Sequence, residues 1–279
     1  CLMDGAREKL SLAVVMRLAQ ADPQQVTAFR DTLTSVVLDE GCGSELRCDS
    51  VFGLRRAKVA DPEHFLPLLS SREKNLAIET ARTIRTWTTA DPATAGPTTL
   101  DPSHLSDEVR ERLSGSLSTN DNNSRPPTAK AWQQVLAVGG DASRGRRGFF
   151  SESVGCSKCH TLGGRGGTPG PDLGGLASSR KRGQIIDSIL NPSAEFAPQY
   201  QAWKVVTVDG QVHSGLQLDH KPGGKIHLTL ADGSTRIFEA DDIEDYIASP
   251  SSLMPAGLEA TMTVGEFRDL LAFLQLRSR

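Results

Sequence analysis

Apolar residues recur at helical spacing over the first ninety positions and at alternate positions in a later stretch, and this change of period divides the chain. Leu10, Val14, Val15 and Leu18 fall on one helix face, as do Leu76, Ile78, Ala81 and Ile84 further on. Asp22-Pro23, Asp61-Pro62 and Asp91-Pro92 interrupt the pattern 39 and 30 residues apart, a spacing that suits stacked helix pairs or an ordinary bundle. Residues 91–128 are rich in Pro, Thr, Ser, Asn and Asp, too polar to offset the entropy of ordering, and read as a linker carrying one short helix from Asp107 to Leu113. Trp132, Val135 and Leu136 open a further helix, and Asp141 to Phe150 reads as another. Ile185, Ile186, Ile189 and Leu190 make a stripe that stops before Asn191-Pro192.

The period then becomes two. Lys204 to Val208, Val212 to Leu218, Lys225 to Leu230 and Thr235 to Phe238 read as strands, with Asp209-Gly210 and Asp232-Gly233 as hairpin turns. The last helix opens on Thr263-x-x-Glu266, a capping box, and aligns Phe267, Leu270, Leu271 and Leu274 on one face. Tyr200 and Trp203 read as core aromatics.

With 279 residues, 38% of them hydrophobic, the chain can form about two domains. No apolar run reaches the ~20 residues of a transmembrane helix. A net charge of −3 favours neither a nucleic-acid nor a membrane partner. Its distribution is uneven: Asp141 to Arg182 holds eight Lys/Arg against three Asp/Glu, and Gly183 to Arg279 seven against thirteen. The basic stretch reads either as a solvated face or as a docking patch for an acidic partner.

The chemistry concentrates at Cys156-Ser157-Lys158-Cys159-His160, a C-x-x-C-H run. Two thiols at this spacing can each add to a vinyl group of a protoporphyrin while the adjacent imidazole faces its iron, which is the attachment signature of c-type haem. A zinc site needs four ligands, and the other close pair, Cys42 and Cys48, lies over a hundred positions away. A thioredoxin-like dithiol would follow a strand and open a helix, whereas a helix precedes Cys156 and a Gly-rich loop follows Cys159. An axial His160 needs its second ring nitrogen held by an acceptor, and Pro171, with no N–H and a fixed φ, can present its carbonyl. Gly163 to Leu173, with five glycines, reads as a haem wall ending in Gly-Pro-x-Leu, or as a flexible surface loop. For the sixth ligand Met254, in Ser252-Leu253-Met254-Pro255, is the candidate, because Ile247 to Gly257 shows neither helical nor strand period. Met262 is the runner-up, and His213, His220 and His227 read as solvent-facing strand residues.

In order along the chain, Gly140-Asp141-x-x-x-Gly145-x-x-x-Phe149, Cys156-x-x-Cys159-His160, Gly170-Pro171-Asp172-Leu173, Ser188-Ile189-Leu190-x-Pro192-Ser193-x-x-x-x-Pro198-x-Tyr200 and Ser252-Leu253-Met254-Pro255-x-Gly257-Leu258 resemble the Planctomycete- and Verrucomicrobium-type haem-binding domain, a relative of class I cytochromes c. The resemblance spans about the last 140 residues. It implies thioether cysteines at Cys156 and Cys159, a proximal ligand at His160, a carbonyl donor at Pro171, a haem wall including Leu173 and a distal ligand at Met254. It also implies first and last domain helices that cross beside the haem, bringing Phe149 to the final stripe. The β-rich stretch is a departure from small cytochromes. His64-Phe65-Leu66-Pro67-Leu68-Leu69 before an Arg72 to Trp87 helix is similar to a HEAT-type repeat.

The expected architecture is therefore mainly α: a helical, repeat-like segment over 1–90, a linker over 91–128, and a c-type haem domain over 129–279 with a β-rich insertion at about 203–240. The expected function is covalent binding of one haem c, with its iron between His160 and Met254, and electron transfer to a redox partner of acidic surface. A haem enzyme or sensor with an open distal site, or a binding scaffold with a structural haem, are the alternatives; no Ser-His-Asp, paired-carboxylate or phosphate-loop pattern supplies independent catalysis. Haem c assembly implies export to the periplasmic side, which also permits a Cys42–Cys48 disulfide. The chain starts at Cys1 without an initiator Met, as a processed product or fragment would, or as a lipid-tethered chain anchored at that cysteine.

Overall fold

A computed structural model describes residues 30–56, 62–90, 101–113, 125–219 and 224–276. The stripe Leu10 to Leu18, the breaks at Asp22-Pro23 and Asp91-Pro92, His220 and Cys1 lie outside the described residues. The chain divides into two compact units, Cys1–Ser124 and Arg125–Arg279. Its described residues are mainly helical, with one five-stranded sheet.

In the first unit, α1 (Arg30–Leu38), α2 (Ser44–Arg56), a 3-10 helix (Pro62–Ser70), α3 (Lys74–Ala90) and α4 (Asp107–Leu113) follow one another. The segment Pro62–Ser70 winds as 3-10, with Pro67 inside it. α3 is buried on two sides. Leu76 and Trp87 join Leu33, Val37, Val51, Leu54 and Phe65 in one cluster, while Ile78, Ala81 and Ile84 pack with Leu69, Leu105, Val109 and Leu113 in another. The expected single stripe from Leu76 to Ile84 is thus two: at about 100° per residue, Leu76 and Ile78 point to nearly opposite sides. The predicted linker helix α4 is likewise no mere spacer, since Val109 and Leu113 are buried against α3. Cys48 lies in the apolar core, and the Cys42 thiol donates to Asp39 Oδ2 at 3.4 Å.

The second unit begins at Arg125, a little before the expected boundary. Thr128 caps α5 (Ala129–Val135), and Asp141 caps α6 (Ala142–Phe149) by accepting from the Arg144 N–H. α6 crosses the last helix, α10 (Val264–Leu274), whose Thr263–Glu266 capping box forms as the sequence indicates. The crossing is tight because Gly145 has no side chain: a Cβ there would stand 1.9 Å from the Asp269 carbonyl oxygen. Beside it the Arg144 guanidinium forks onto Asp269, Nε to Oδ2 and Nη2 to Oδ1 at 2.9 Å each, and Oδ1 also accepts the Asp141 N–H at 2.7 Å. Phe149 meets α10 through Phe273 at 5.7 Å between ring centres, and Trp132 of α5 meets Phe267 at the same separation. Between them lie α7 (Cys156–Cys159), the short strands β1 (Thr161–Leu162) and β2 (Arg165–Gly166), α8 (Leu176–Ser179) and α9 (Arg182–Leu190), which ends at Asn191 as the sequence indicates.

The insertion is an antiparallel sheet of β3 (Ala202–Thr207), β4 (Val212–Asp219), β5 (Ile226–Thr229), β6 (Thr235–Phe238) and β7 (Ile243–Ala248), in the order β6-β5-β4-β3-β7. Gly210 and Gly233 adopt φ of 81° and 83° in the two expected Asp-Gly turns. The sheet runs past the expected end near 240, because β7 is a strand that alternation does not reveal. It is an edge strand, paired only with β3, and its Glu244 and Asp245 are exposed. One face holds Val205, Leu228 and Phe238, flanked by Trp203 stacked on Tyr246 at 4.5 Å.

Candidate functional site

The C-x-x-C run forms a single helical turn, α7, entered through Gly155 in the left-handed region at φ 74°. Residues three apart share a helix side, so Cys156 and Cys159 face the same way. His160 leaves the turn in an extended conformation, φ −106° and ψ 140°.

The Gly-rich loop is then laid back against this turn. Gly167 donates to the Ser157 carbonyl at 2.8 Å, Gly170 to the Cys159 carbonyl at 2.7 Å and Leu173 to the Thr161 carbonyl at 2.8 Å. Glycine is required where the two strands of chain touch: a Cβ on Gly167 would lie 1.8 Å from the Lys158 carbonyl oxygen, and one on Gly170 2.8 Å from His160 Nδ1. Asp172 pins the far end, accepting from Thr161 Oγ1 at 2.6 Å and the Gly174 N–H at 2.7 Å.

This wrapping brings Pro171 to His160. Nδ1 lies 2.9 Å from the Pro171 carbonyl oxygen, and since a carbonyl only accepts, Nδ1 carries the proton and Nε2 keeps its lone pair. Burial lowers the imidazole's pKa, with the Pro171 bond opposing it, so the ring is neutral at neutral pH. Burial pushes the Cys156 thiol up to about 12 and raises Cys159 as well. A disulfide-exchange cysteine needs the opposite, a thiol shifted toward thiolate. Among the described residues no group of three or more His, Cys, Asp and Glu side chains is placed to hold a metal ion unaided.

Met254 arrives from the other end of the unit. The two cysteines, His160, Pro171 and Met254 all line one open cavity of about 300 Å³, together with Val154, Pro169, Tyr200, Leu216, Ala231, Leu253 and Leu258. Five of the six sequence-selected site residues therefore converge, across nearly a hundred positions of sequence. Leu173 is the exception: it is not part of the cavity wall, and its contribution is the backbone bond to Thr161 that closes the loop. Met262, the runner-up ligand, is 3% exposed and absent from the cavity wall. His213 packs on the Phe238 ring and its Nδ1 lies 3.2 Å from the Arg236 guanidinium, while His227 sits half-buried in β5 rather than facing solvent.

Two wall residues, Leu216 and Ala231, carry no haem signal in the linear sequence, whereas Tyr200 closes one of the resemblance motifs. Leu216 belongs to β4, Ala231 follows β5, and Tyr200 precedes β3. The Cys159 thiol approaches the Ala231 carbonyl at 3.6 Å. The Asp-Gly hairpin next to Ala231 was legible, but its return onto the cavity was not.

The basic stretch from Asp141 to Arg182 does not form one patch. Arg147 is fully buried, Arg144 is bound to Asp269, and Arg182 reaches the carbonyls of Leu136 at 2.6 Å and Gly139 at 2.9 Å and the Gln275 amide oxygen at 2.8 Å. Lys158, Arg180 and Lys181 are exposed, and of these Lys158 lines the cavity.

No protein-family model matches the chain, and no curated protein matches it. No helix among the described residues is long and apolar enough to cross a membrane.

Proposed function

We propose that the second unit is a class I-like c-type cytochrome module that holds one haem covalently and passes single electrons, with the first unit as a HEAT-like helical scaffold. The convergence of Cys156, Cys159, His160 and Met254 on one largely apolar cavity carries this reading. The donor set suits the group. Two neutral thiols on one helical turn can each add S–H across a vinyl C=C, forming a thioether with no atom lost. A neutral imidazole with Nδ1 engaged can offer Nε2 to iron, and a thioether is the usual partner where electrons are transferred without substrate binding. His160 and Met254 would suffice to hold such a group because the macrocycle would supply the remaining donors, so the absence of a three-residue chelate among the described residues is no obstacle.

When bound, haem c supplies one-electron iron chemistry. The protein's own residues do the rest. His160 is fixed in tautomer and direction by Pro171, which strengthens it as a donor. Val154, Pro169, Leu216 and Leu258 exclude water, and a low-polarity wall favours the less charged, reduced state. Lys158, on the cavity rim, gives an acidic redox partner a place to dock. Assembly of haem c places the module on the exported, periplasmic side.

The direct test is expression with a c-type maturation system. Haem should stay with the polypeptide through denaturation and acid-acetone extraction, and should be released when Cys156 and Cys159 are both replaced by Ser. Haem retained in the double variant would overturn the proposal.

A further inference from the structure

The sheet starts and ends at the cavity. β3 begins two residues after Tyr200, and β7 ends six residues before Met254. These two strands pair, Trp203 opposite Ala248, so the chain enters and leaves the sheet at one place. The junction is then tied by side chains. Gln201 Nε2 donates to both the Ala202 carbonyl at 2.8 Å and the Ser249 carbonyl at 2.7 Å, spanning the two strands. Past it, the Ser251 N–H donates to Ser249 Oγ at 3.2 Å, the Ser252 N–H to Ser193 Oγ at 3.1 Å, and the Met254 N–H to Ser252 Oγ at 3.1 Å. Ser193 lies just beyond α9, so it anchors the loop to the helical part of the unit.

We infer that Gln201, Ser193 and Ser252 are positioning residues for Met254, and that the five-stranded insertion serves to deliver this side chain to the cavity wall. The inference rests on the reading of Met254 as an iron ligand. A thioether is neutral and binds iron weakly, so it competes with water or an added base only if its loop is ordered beforehand. Ordering a free loop costs about 1–2 kcal/mol per residue in backbone entropy. Here hydrogen bonds to Ser249, just past β7, to Ser193, just past α9, and to Ser252 offset part of that cost without a ligand bond. Leu216 and Ala231 bring the same sheet to the cavity a second time, so sheet and site are held at two points.

The experiment uses the full-length holoprotein and titrates its ferric form with imidazole, following loss of the weak near-infrared sulfur-to-iron band. Ser252→Ala and Gln201→Leu should bind imidazole about tenfold more tightly than wild type, the effect of losing about one hydrogen bond. Ser252→Thr, which keeps the hydroxyl, should restore wild-type affinity. Amide exchange of residues 251–254 should quicken in the same variants. Wild-type affinity and exchange in Ser252→Ala and Gln201→Leu, with the band intact, would overturn the inference while leaving the cytochrome reading standing. A wild-type protein that retains haem but lacks the band would instead remove Met254 as ligand, and this inference with it. Should Ser252→Ala lose its haem, Ser193→Ala, at an exposed position, carries the same comparison.

Discussion

At the scale of single residues, the two candidate methionines separate by surroundings rather than by type. Met254 lines the cavity, whereas Met262 is buried away from it at 3% exposure. Met254→Ala should therefore abolish the near-infrared band at little cost in stability. Met262→Ala should keep the band and destabilise the second unit by about 2–5 kcal/mol, the usual range for emptying a buried methionine site. Spectra and urea denaturation of the two variants check both halves. If Met262→Ala loses the band and Met254→Ala keeps it, the ligand assignment is reversed.

Among elements, the crossing of α6 over α10 holds the second unit together. Arg144 and Asp269 face each other with side chains 12% and 5% exposed, and Asp269 also takes the Asp141 N–H. Removing Asp269 takes both short bonds from Arg144 and leaves it Asp141 Oδ2 at 3.9 Å, which costs about 3 kcal/mol, the low end for breaking a buried pair. Asp269→Ala should lower stability by this amount and free α6 from α10. Because α6 leads straight toward the cysteine turn, haem incorporation should fall with it. A urea midpoint equal to wild type would show that the pair is not what fixes the crossing.

For the whole molecule, every residue of the cavity wall lies between Glu152 and Leu258, inside the second unit. A polypeptide of residues 125–279 should accordingly fold and attach haem alone, with the spectrum of the full chain. Failure to attach haem would show that the first unit is needed for more than placement. Partner choice belongs to this scale as well. Since three of the eight basic residues of the stretch, Arg144, Arg147 and Arg182, are engaged within the unit while Lys158 is exposed on the cavity wall, Lys158→Glu should slow reduction by a small acidic redox protein at low salt. The gap should close as the Debye length falls to about 8 Å near physiological ionic strength. Stopped-flow rates that ignore both the substitution and salt would take Lys158 out of the encounter.

The sequence by itself determined what is local. The α9 stripe ending at Asn191, the Thr263–Glu266 capping box, the two Asp-Gly hairpins and the helix Asp107–Leu113 each depend on neighbours within a few positions, so their signals survive in a linear reading. His160 with Pro171 was legible because they stand only eleven positions apart and Pro171, with no N–H and a fixed φ, can present its carbonyl. Tertiary structure decided the rest. That α3 is buried on two sides, that β7 is a strand, that Arg144, Arg147 and Arg182 are spent inside the unit, and that Leu216 and Ala231 wall the cavity all depend on contacts between distant segments. Burial and cross-strand pairing are properties of where those segments meet, and residue order leaves that meeting open until the chain has packed.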